Sequence, residues 1–529
     1  MTKLKVNNLS DPIWKQAGIS LPEFNIAQIR KNTDENPSWI HFGGGNIFRV
    51  FIADLMQKLI DEGCADTGII VAENYDPEII EKIYLPNDNL TLAVSMGASG
   101  AMKKKVIASV TEALVSDCEN TEDWKRIKSV FSNPSLQMCS FTITEKGYVL
   151  REFEGPEAPK NLMHQITALL YARYKSCGYP IAMVSLDNCS CNGKLLHDAI
   201  AAIARNWHAR GYVPAGFVEY VADSSSVSFP WSMIDKITPR PSLEIRNMLE
   251  ETGIEGMDII CTKRDTHIAP FVNTEKAEYL VIEDDFPAGR PALEKSGVIF
   301  ADRETVQKTE RMKVMTCLNP LHTALAVFGC LLGHRTIAEE MADEDLRTLV
   351  DRIGRVEGMP VVTDPGIIKP EDFLDEVLCE RFPNPNIPDT PQRIATDTSQ
   401  KIPIRFGETL KAYAASSTLQ ITDLKLIPLV IAAWMRYLIG IDDEGKKMAL
   451  SSDPMLEELQ QHLKGITFGE PESLGQHLVP ILSSDKLFGI DLYRNGLGND
   501  IESAVKEMLS GPGAVRRTLR NHLKEGETR

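Results

Sequence analysis

Apolar residues recur along this chain with two different periods, and the change of period divides it. An early strand-like run, Trp39-Ile40-His41-Phe42, stops in Gly43-Gly44-Gly45. Phe48, Phe51, Leu55 and Leu59 follow at three- and four-residue steps and give one apolar helical face. After Gly63 a second apolar run, residues 68–72, ends in Glu73. Strand, glycine turn, helix and strand make one βαβ unit. Further strand-like runs lie at 90–94, 136–143, 181–185, 217–221 and 279–282, with helical patterns between several of them. The clearest helix is 193–210, where Leu196, Ile200, Ile203 and Trp207 share a face. This alternation predicts an α/β domain with a mostly parallel, helix-covered sheet.

Near residue 300 the β-branched runs become scarce. Helical patterns then dominate, at 321–332, 424–438, 455–463 and 501–509. The expected organisation is an irregular N-terminal lead-in over 1–34, an α/β domain over 35–300 and a mainly α-helical C-terminal domain over 301–529. The proline-rich stretch 381–391 reads as a long loop inside the helical part.

Composition narrows the function classes. With 43 % hydrophobic and 25 % charged residues the chain has enough apolar surface for large cores and is not a disordered sequence. A net charge of −17 argues against nucleic acid and anionic lipid as partners. The apolar stretches 324–332 and 426–435 are far shorter than the roughly 20 residues of a membrane span, and the first residues lack a signal-peptide core. Ten irregularly spaced cysteines read as reduced thiols of a cytoplasmic protein. Cys189-Ser190-Cys191 is spaced too closely for an ordinary zinc site, so no metal is expected. The expected partner is a small molecule, and the expected assembly is a monomer or a small homo-oligomer.

Two segments carry candidate chemistry. The turn from Gly43 through Gly45, Asn46 and Phe48 to Arg49 lies where a strand enters a helix. Positions without Cβ there let a pyrophosphate approach the backbone, and the helix N-terminus supplies N–H donors. Glu73, closing the next strand, is placed to accept ribose hydroxyls, and residues 74–78 offer no cation for a 2′-phosphate, so NAD is expected rather than NADP. The alternative is a glycine turn with no ligand. In the second segment, Lys313 with Asn319 and His322 can supply a proton acceptor, an amide for a developing alkoxide and a group that orients a hydroxyl. On periodicity alone Lys313 is equally a surface lysine and His322 a core histidine. Residues 185–193 follow a strand at the end where α/β sheets bind ligands, or else form a turn capping the next helix. Arg393 and Lys401 bring two cations together in an acidic chain, or else lie on a solvated loop.

Taken in order, these segments resemble the long-chain polyol dehydrogenases of the mannitol dehydrogenase family. The matching pieces are FGGGNIFR from Phe42, TITEKGY from Thr142, DNCSCNG from Asp187, FPWSMIDKITP from Phe229, YLVIEDDFPAGRP from Tyr279, KVMTCLNPLHTAL from Lys313 and ATDTSQKIPIRF from Ala395. The resemblance implies a Rossmann-type N-terminal domain and NAD-dependent, metal-independent hydride transfer on a secondary alcohol. It implies Lys313 as general acid/base, Asn188 and Asn319 as amides stabilising the oxyanion, and His322 as a substrate holder. It also places Asp235 in the active site and Arg393 and Lys401 near the distal end of the substrate. Within the family, ATDTSQKIP and YLVIEDDFPAGRP look most like the branch that interconverts fructuronate and mannonate. The alternatives are the fructose/mannitol pair, the tagaturonate/altronate pair, and a binding protein that has lost catalysis.

Two departures from the family pattern carry structural expectations. Five residues separate Lys313 from Asn319 where the family has four. One extra residue rotates a helix by about 100°, so a π-bulge or irregular turn is expected between them. Pro320 follows the asparagine, which makes Asn319 a candidate helix N-cap.

Overall fold

The structure is a computed structural model that describes residues 1–150 and 152–525. It divides into two compact units, Met1–Met96 with Gly100–Gln307, and Gly97–Ser99 with the chain from Lys308 onward.

The first unit is built on six strands: β1 (Trp39–Phe42), β2 (Ile69–Glu73), β3 (Val110–Val115), β4 (Met138–Phe141), β5 (Ile181–Ser185) and β6 (Val227–Ser228). They lie in the order β6-β5-β4-β1-β2-β3, and every pairing is parallel. The order reverses between β1 and β4, the switch point at whose carboxyl end open α/β sheets bind ligands. Strands β1, β2, β4 and β5 are buried at every residue, which is why they read as apolar runs rather than alternations. Two apolar cores lie on the sheet. One gathers Phe131, Leu169, Ile200 and Trp207, the other Phe51, Leu55, Leu59 and Ile83.

Several elements differ from the expectation. Residues 217–221 are helical, within Ala215–Ala222. Phe217, Tyr220 and Val221 are the buried positions, a helical rather than alternating set, and Phe217 packs on Tyr171 and Tyr174. The sixth strand is instead the short β6. Strand β3, too polar to read as an apolar run, was not anticipated. Residues 90–94 do form a strand, Thr91–Met96, but in a separate four-stranded sheet, and Tyr279–Glu283 lies in a three-stranded one.

Residues 1–34 are not irregular. They hold the helix Ile26–Glu35, whose Asn25 side chain caps Gln28 N–H, and two short strands paired to the body of the unit. Trp14 is fully buried there and donates to Asn8 O. Their apolar positions are too few per element to show a period.

In the second unit the described regular elements are helical. Asn319–Leu332 and Leu426–Leu438 are its central helices; they pack on each other, and the latter is buried at every residue. The buried carboxylate of Glu357 takes the N–H groups of Lys425, Leu426 and Ile427 at 2.6, 2.7 and 2.8 Å, satisfying the donors that a helix start leaves open. One helical run, Arg303–Leu332, is long and apolar enough to cross a membrane by length and composition, and 78 % of its apolar window is buried inside the protein.

Candidate active site

At the carboxyl end of β1 the chain turns through Gly43, with φ +110°. A Cβ there would stand 2.5 Å from Thr142 O, so glycine is required by both the dihedral and the space. Beneath the turn a polar ladder joins β1 to β4. Trp39 Nε1 donates to Ser140 Oγ, and the His41 ring bridges Ser140 Oγ at 2.6 Å and Thr142 Oγ1 at 2.9 Å. Phe48 stacks on His41 with centroids 4.2 Å apart, which places this expected cofactor residue in the packing behind the turn.

Burial lowers the His41 imidazole to about 3, so it is neutral throughout the working range. Above about pH 6.5 the folded and unfolded chains bind no proton at this site. Below it the unfolded chain takes one that the native state refuses. Stability is therefore expected to fall on acidification by up to about 1.4 kcal/mol per pH unit from this residue alone. His41→Gln should show a shallower fall than the parent in urea midpoints measured between about pH 6 and pH 4.

Gly45 differs from Gly43: nothing lies within 4 Å of a Cβ built on it. The helical conformation begins at Asn46, and Asn46 Nδ2 reaches Pro239 O at 3.5 Å. Arg49 sits in the π-helical segment Phe48–Ile52. It is buried over Tyr84, and its Nε donates to Thr91 Oγ1 while both Nη atoms lack a protein partner. Burial lowers this guanidinium to about 10, still charged at neutral pH. Glu73 is buried at the end of β2 and already accepts three backbone N–H groups, Gly44 at 2.6 Å, Tyr75 at 2.8 Å and Asp76 at 3.1 Å. Burial raises its pKa against those bonds. Glu73 thus braces the glycine turn from the neighbouring strand, in addition to any ribose it accepts. Tyr84, donating to Gly44 O at 3.0 Å, braces the other side.

Asn188 is exposed just past β5. Its neighbours hold the loop: Asp187 accepts from Tyr148 OH and from Cys189 N–H at 3.0 Å, and Tyr148 OH also meets Ser185 Oγ. Asn192 opens the next helix and links the loop to Ser232 through both ends of its amide. Asp235, buried, ends the strand Ser232–Asp235 that follows from this anchor.

In the second unit, Met312–Cys317 is π-helical and Leu318 N–H bonds Lys313 O, five residues back. The wide turn absorbs the extra residue between Lys313 and Asn319, and Lys313 is buried. The helix N-cap is Leu318 rather than Asn319, one residue earlier than the sequence implied. Asn319 takes the first helical position, with Pro320 next, and its backbone carbonyl accepts from Thr323 Oγ1 and Arg405 Nη1.

His322, one turn further along, lies 3.3 Å through Nε2 from Asp389 Oδ2 and packs on Phe382. Burial lowers the imidazole despite the nearby carboxylate. Burial pushes Asp389 up, but the ring of His322 and the Arg393 guanidinium more than reverse this and hold it at about 2. Arg393 grips Asp389 with two bonds, at 2.7 and 2.6 Å. Lys401 turns its ammonium onto Ile394 O and Thr396 O, and burial with the positive charge of Arg405 lowers it to about 8.

The second unit therefore gathers His322, Arg393 and Lys401 with two residues the sequence reading missed, Asp389 and Arg405. Asp389 hid in the proline-rich loop, although an acidic residue four positions before Arg393 was a usable signal. Arg405 stands in the matched segment without a distinguishing neighbour. In the first unit the sequence reading missed Tyr148 and Asp187, both inside quoted motifs.

Family models describe the two parts of the chain. The mannitol dehydrogenase Rossmann domain matches residues 37–295, and the mannitol dehydrogenase C-terminal domain matches 305–509. A D-mannonate oxidoreductase of Thermotoga maritima is 54 % identical over 96 % of each chain. A mannitol 2-dehydrogenase of Aspergillus clavatus is 28 % identical, over 93 % of this chain and 94 % of that one. Among solved structures, Pseudomonas fluorescens mannitol 2-dehydrogenase in ternary complex with NAD and D-mannitol superposes with TM-score 0.70 at 25 % identity, covering all of both chains. A substrate-free D-sorbitol dehydrogenase, at 22 % identity, shares the fold with TM-score 0.77 over 96 % of this chain and 98 % of that one.

Proposed function

The chain belongs to the mannitol dehydrogenase family, and from that premise we propose that this oxidoreductase interconverts D-fructuronate and D-mannonate with NAD. The observation that carries the reading is the identity to a mannonate oxidoreductase, about twice that to the mannitol enzymes and spread over nearly the whole chain. The site's residues fit the cofactor: a turn with open space at Gly45, the start of a helix behind it, and Glu73 closing the adjacent strand. Gly43, Gly45, Asn46 and the Glu73 carboxylate would hold it. When bound, NAD supplies the acceptor for the hydride leaving the alcohol carbon.

The chain's own residues handle the proton and the charge. Lys313 takes the hydroxyl proton during oxidation and returns it during reduction. The side-chain amide of Asn319 donates to the developing alkoxide oxygen, and Asn188 is proposed as an oxyanion amide of the same kind. The ionised Asp389 facing Nε2 places the single proton of neutral His322 on that nitrogen, leaving Nδ1 to accept a substrate hydroxyl. Lys313 and the amides need no metal-bound water to do this, so turnover should survive dialysis against a chelator. Asp235, Arg393 and Lys401 complete the proposed substrate-binding set. Arg393 and the positive charge of Arg405 favour an anionic sugar acid.

A second reading, oxidation of a free hexitol, is favoured by the bidentate Arg393–Asp389 pair, because an arginine so engaged has less to offer a carboxylate. NADH consumption with D-fructuronate, D-tagaturonate and D-fructose in parallel, with NADPH as control, separates the readings. Fast turnover of fructuronate with NADH is expected. Turnover of fructose alone would overturn the proposal. Arg393→Ala refines it: a carboxylate clamp predicts loss for the keto-uronate with little change for fructose, whereas equal loss on both would mean that Arg393 acts through Asp389 and His322.

A further inference from the structure

The hairpin of Ile260–Cys261 and His267–Ile268 carries a cluster that the reaction above does not use. Cys261 and His267 are directly opposed across the antiparallel pair, so their side chains leave on one face. Asp265 returns toward them from the connecting turn, held in the left-handed region at φ +61°. Cys261 Sγ, a carboxylate oxygen of Asp265 and a ring nitrogen of His267 all lie within 4.8 Å of one another. The sulfur–oxygen edge, Cys261 Sγ to Asp265 Oδ1, is 3.5 Å. Metal bonds of about 2.0–2.3 Å in a tetrahedral zinc site put ligand atoms about 3.3–3.7 Å apart, so that edge already has the right length, and the imidazole nitrogen, within 4.8 Å of both, closes in on binding.

Two independent observations point the same way. His267 Nδ1 is buried without a hydrogen-bond partner, an arrangement that costs free energy unless something satisfies the ring. The turn is also built rather than loose. Buried Thr262 accepts the N–H groups of Arg264 and Thr266 on its Oγ1, donates to Asp76 Oδ2 at 2.6 Å, and closes the loop through its own N–H to Thr266 O. Lys263 N–H adds a bond to the Glu78 carboxylate at 2.9 Å. A turn fixed in this way holds the backbone that carries the three ligands, so less freedom is lost on binding.

We propose that Cys261, Asp265 and His267 form a binding site for a zinc-class divalent ion, with water as the fourth ligand. A thiolate and an imidazole beside one carboxylate favour zinc or cobalt over magnesium and calcium. Binding forms the metal–sulfur bond and releases the thiol proton to solvent. The ion would tie together both arms of a hairpin whose Thr262 and Lys263 grip Asp76 and Glu78, just beyond Glu73.

The test is Co(II) titration of the purified full-length chain after dialysis against a chelator. The expected result is one equivalent bound, with a sulfur-to-cobalt charge-transfer band that vanishes in Cys261→Ser. In His267→Ala the affinity should fall roughly tenfold or more. Zinc should raise the thermal midpoint of the parent but not of Cys261→Ser. No charge-transfer band in the parent, or a band that survives in Cys261→Ser and so comes from another cysteine, would overturn the proposal, as would an affinity unchanged by His267→Ala.

Discussion

Replacing Lys313 by alanine is expected to lower turnover by roughly 10²–10⁴-fold, the size of a general acid/base contribution, while NADH binding stays at the parental level. In free energy the loss is about 2.7–5.5 kcal/mol of transition-state stabilisation. The residue is buried in a π-helical segment, whose wider turn costs helix geometry and recurs at functional sites. The bond from Leu318 N–H to Lys313 O is made by the backbone, so the alanine variant retains it. The measurement pairs kcat in both directions with a fluorescence titration of NADH and a thermal melt. Parental kcat would remove Lys313 from the chemistry. A collapsed melting temperature would point to packing instead, and Lys313→Met, which keeps most of the side-chain volume, separates these causes. Lys313→Arg is not expected to rescue turnover, because a guanidinium does not give up its proton near neutral pH.

That π-helical turn is also the clearest case of site geometry being legible in sequence. A count of five residues between Lys313 and Asn319, set against a helix that advances about 100° per residue, demanded an irregular turn there. The strands β1, β2, β4 and β5 were legible for a related reason: a sheet covered on both faces writes itself as unbroken apolar runs.

The misreading of 217–221 has the converse cause. A run of five largely apolar residues fits a strand or a helix equally, and tertiary packing against Tyr171 and Tyr174 decided it. Lys401 reads in sequence as a free cation. Its donation to Ile394 O and Thr396 O depends on how the intervening turn folds, which residue types alone do not specify. Arg393 was half legible: its pairing with Asp389 spans four residues, yet Asp389 lies ahead of the short helix Pro391–Ile394 and Pro391 between them made a loop the simpler expectation. Glu73 was legible as a carboxylate at a strand end but not as the acceptor of Gly44 N–H, because that bond crosses from one strand to its neighbour's turn.

Gly43 and Gly45 stand two residues apart in one turn, and alanine at each is expected to fail differently. At Gly43 the dihedral of +110° is costly for any residue with a Cβ, and the added methyl would sit 2.5 Å from the carbonyl of Thr142. Left-handed strain of about 1–2 kcal/mol and overpacking of about 1–3 kcal/mol combine to a loss of several kcal/mol. Gly43→Ala should therefore lower the melting temperature and NADH affinity together. At Gly45 the methyl meets nothing within 4 Å, and the backbone there is not left-handed, so the fold has no reason to object. If this turn is where the dinucleotide's phosphates approach the backbone, the same methyl occupies their space. Gly45→Ala should then melt with the parent but bind NADH at least about tenfold more weakly, a change of about 1.4 kcal/mol. Thermal melts and NADH titrations on the two variants make the comparison. A Gly45→Ala chain that binds NADH as the parent does would leave a turn shaped by its own packing against Thr142, Glu73 and Tyr84, and the dinucleotide would have to be sought elsewhere on the sheet's carboxyl edge.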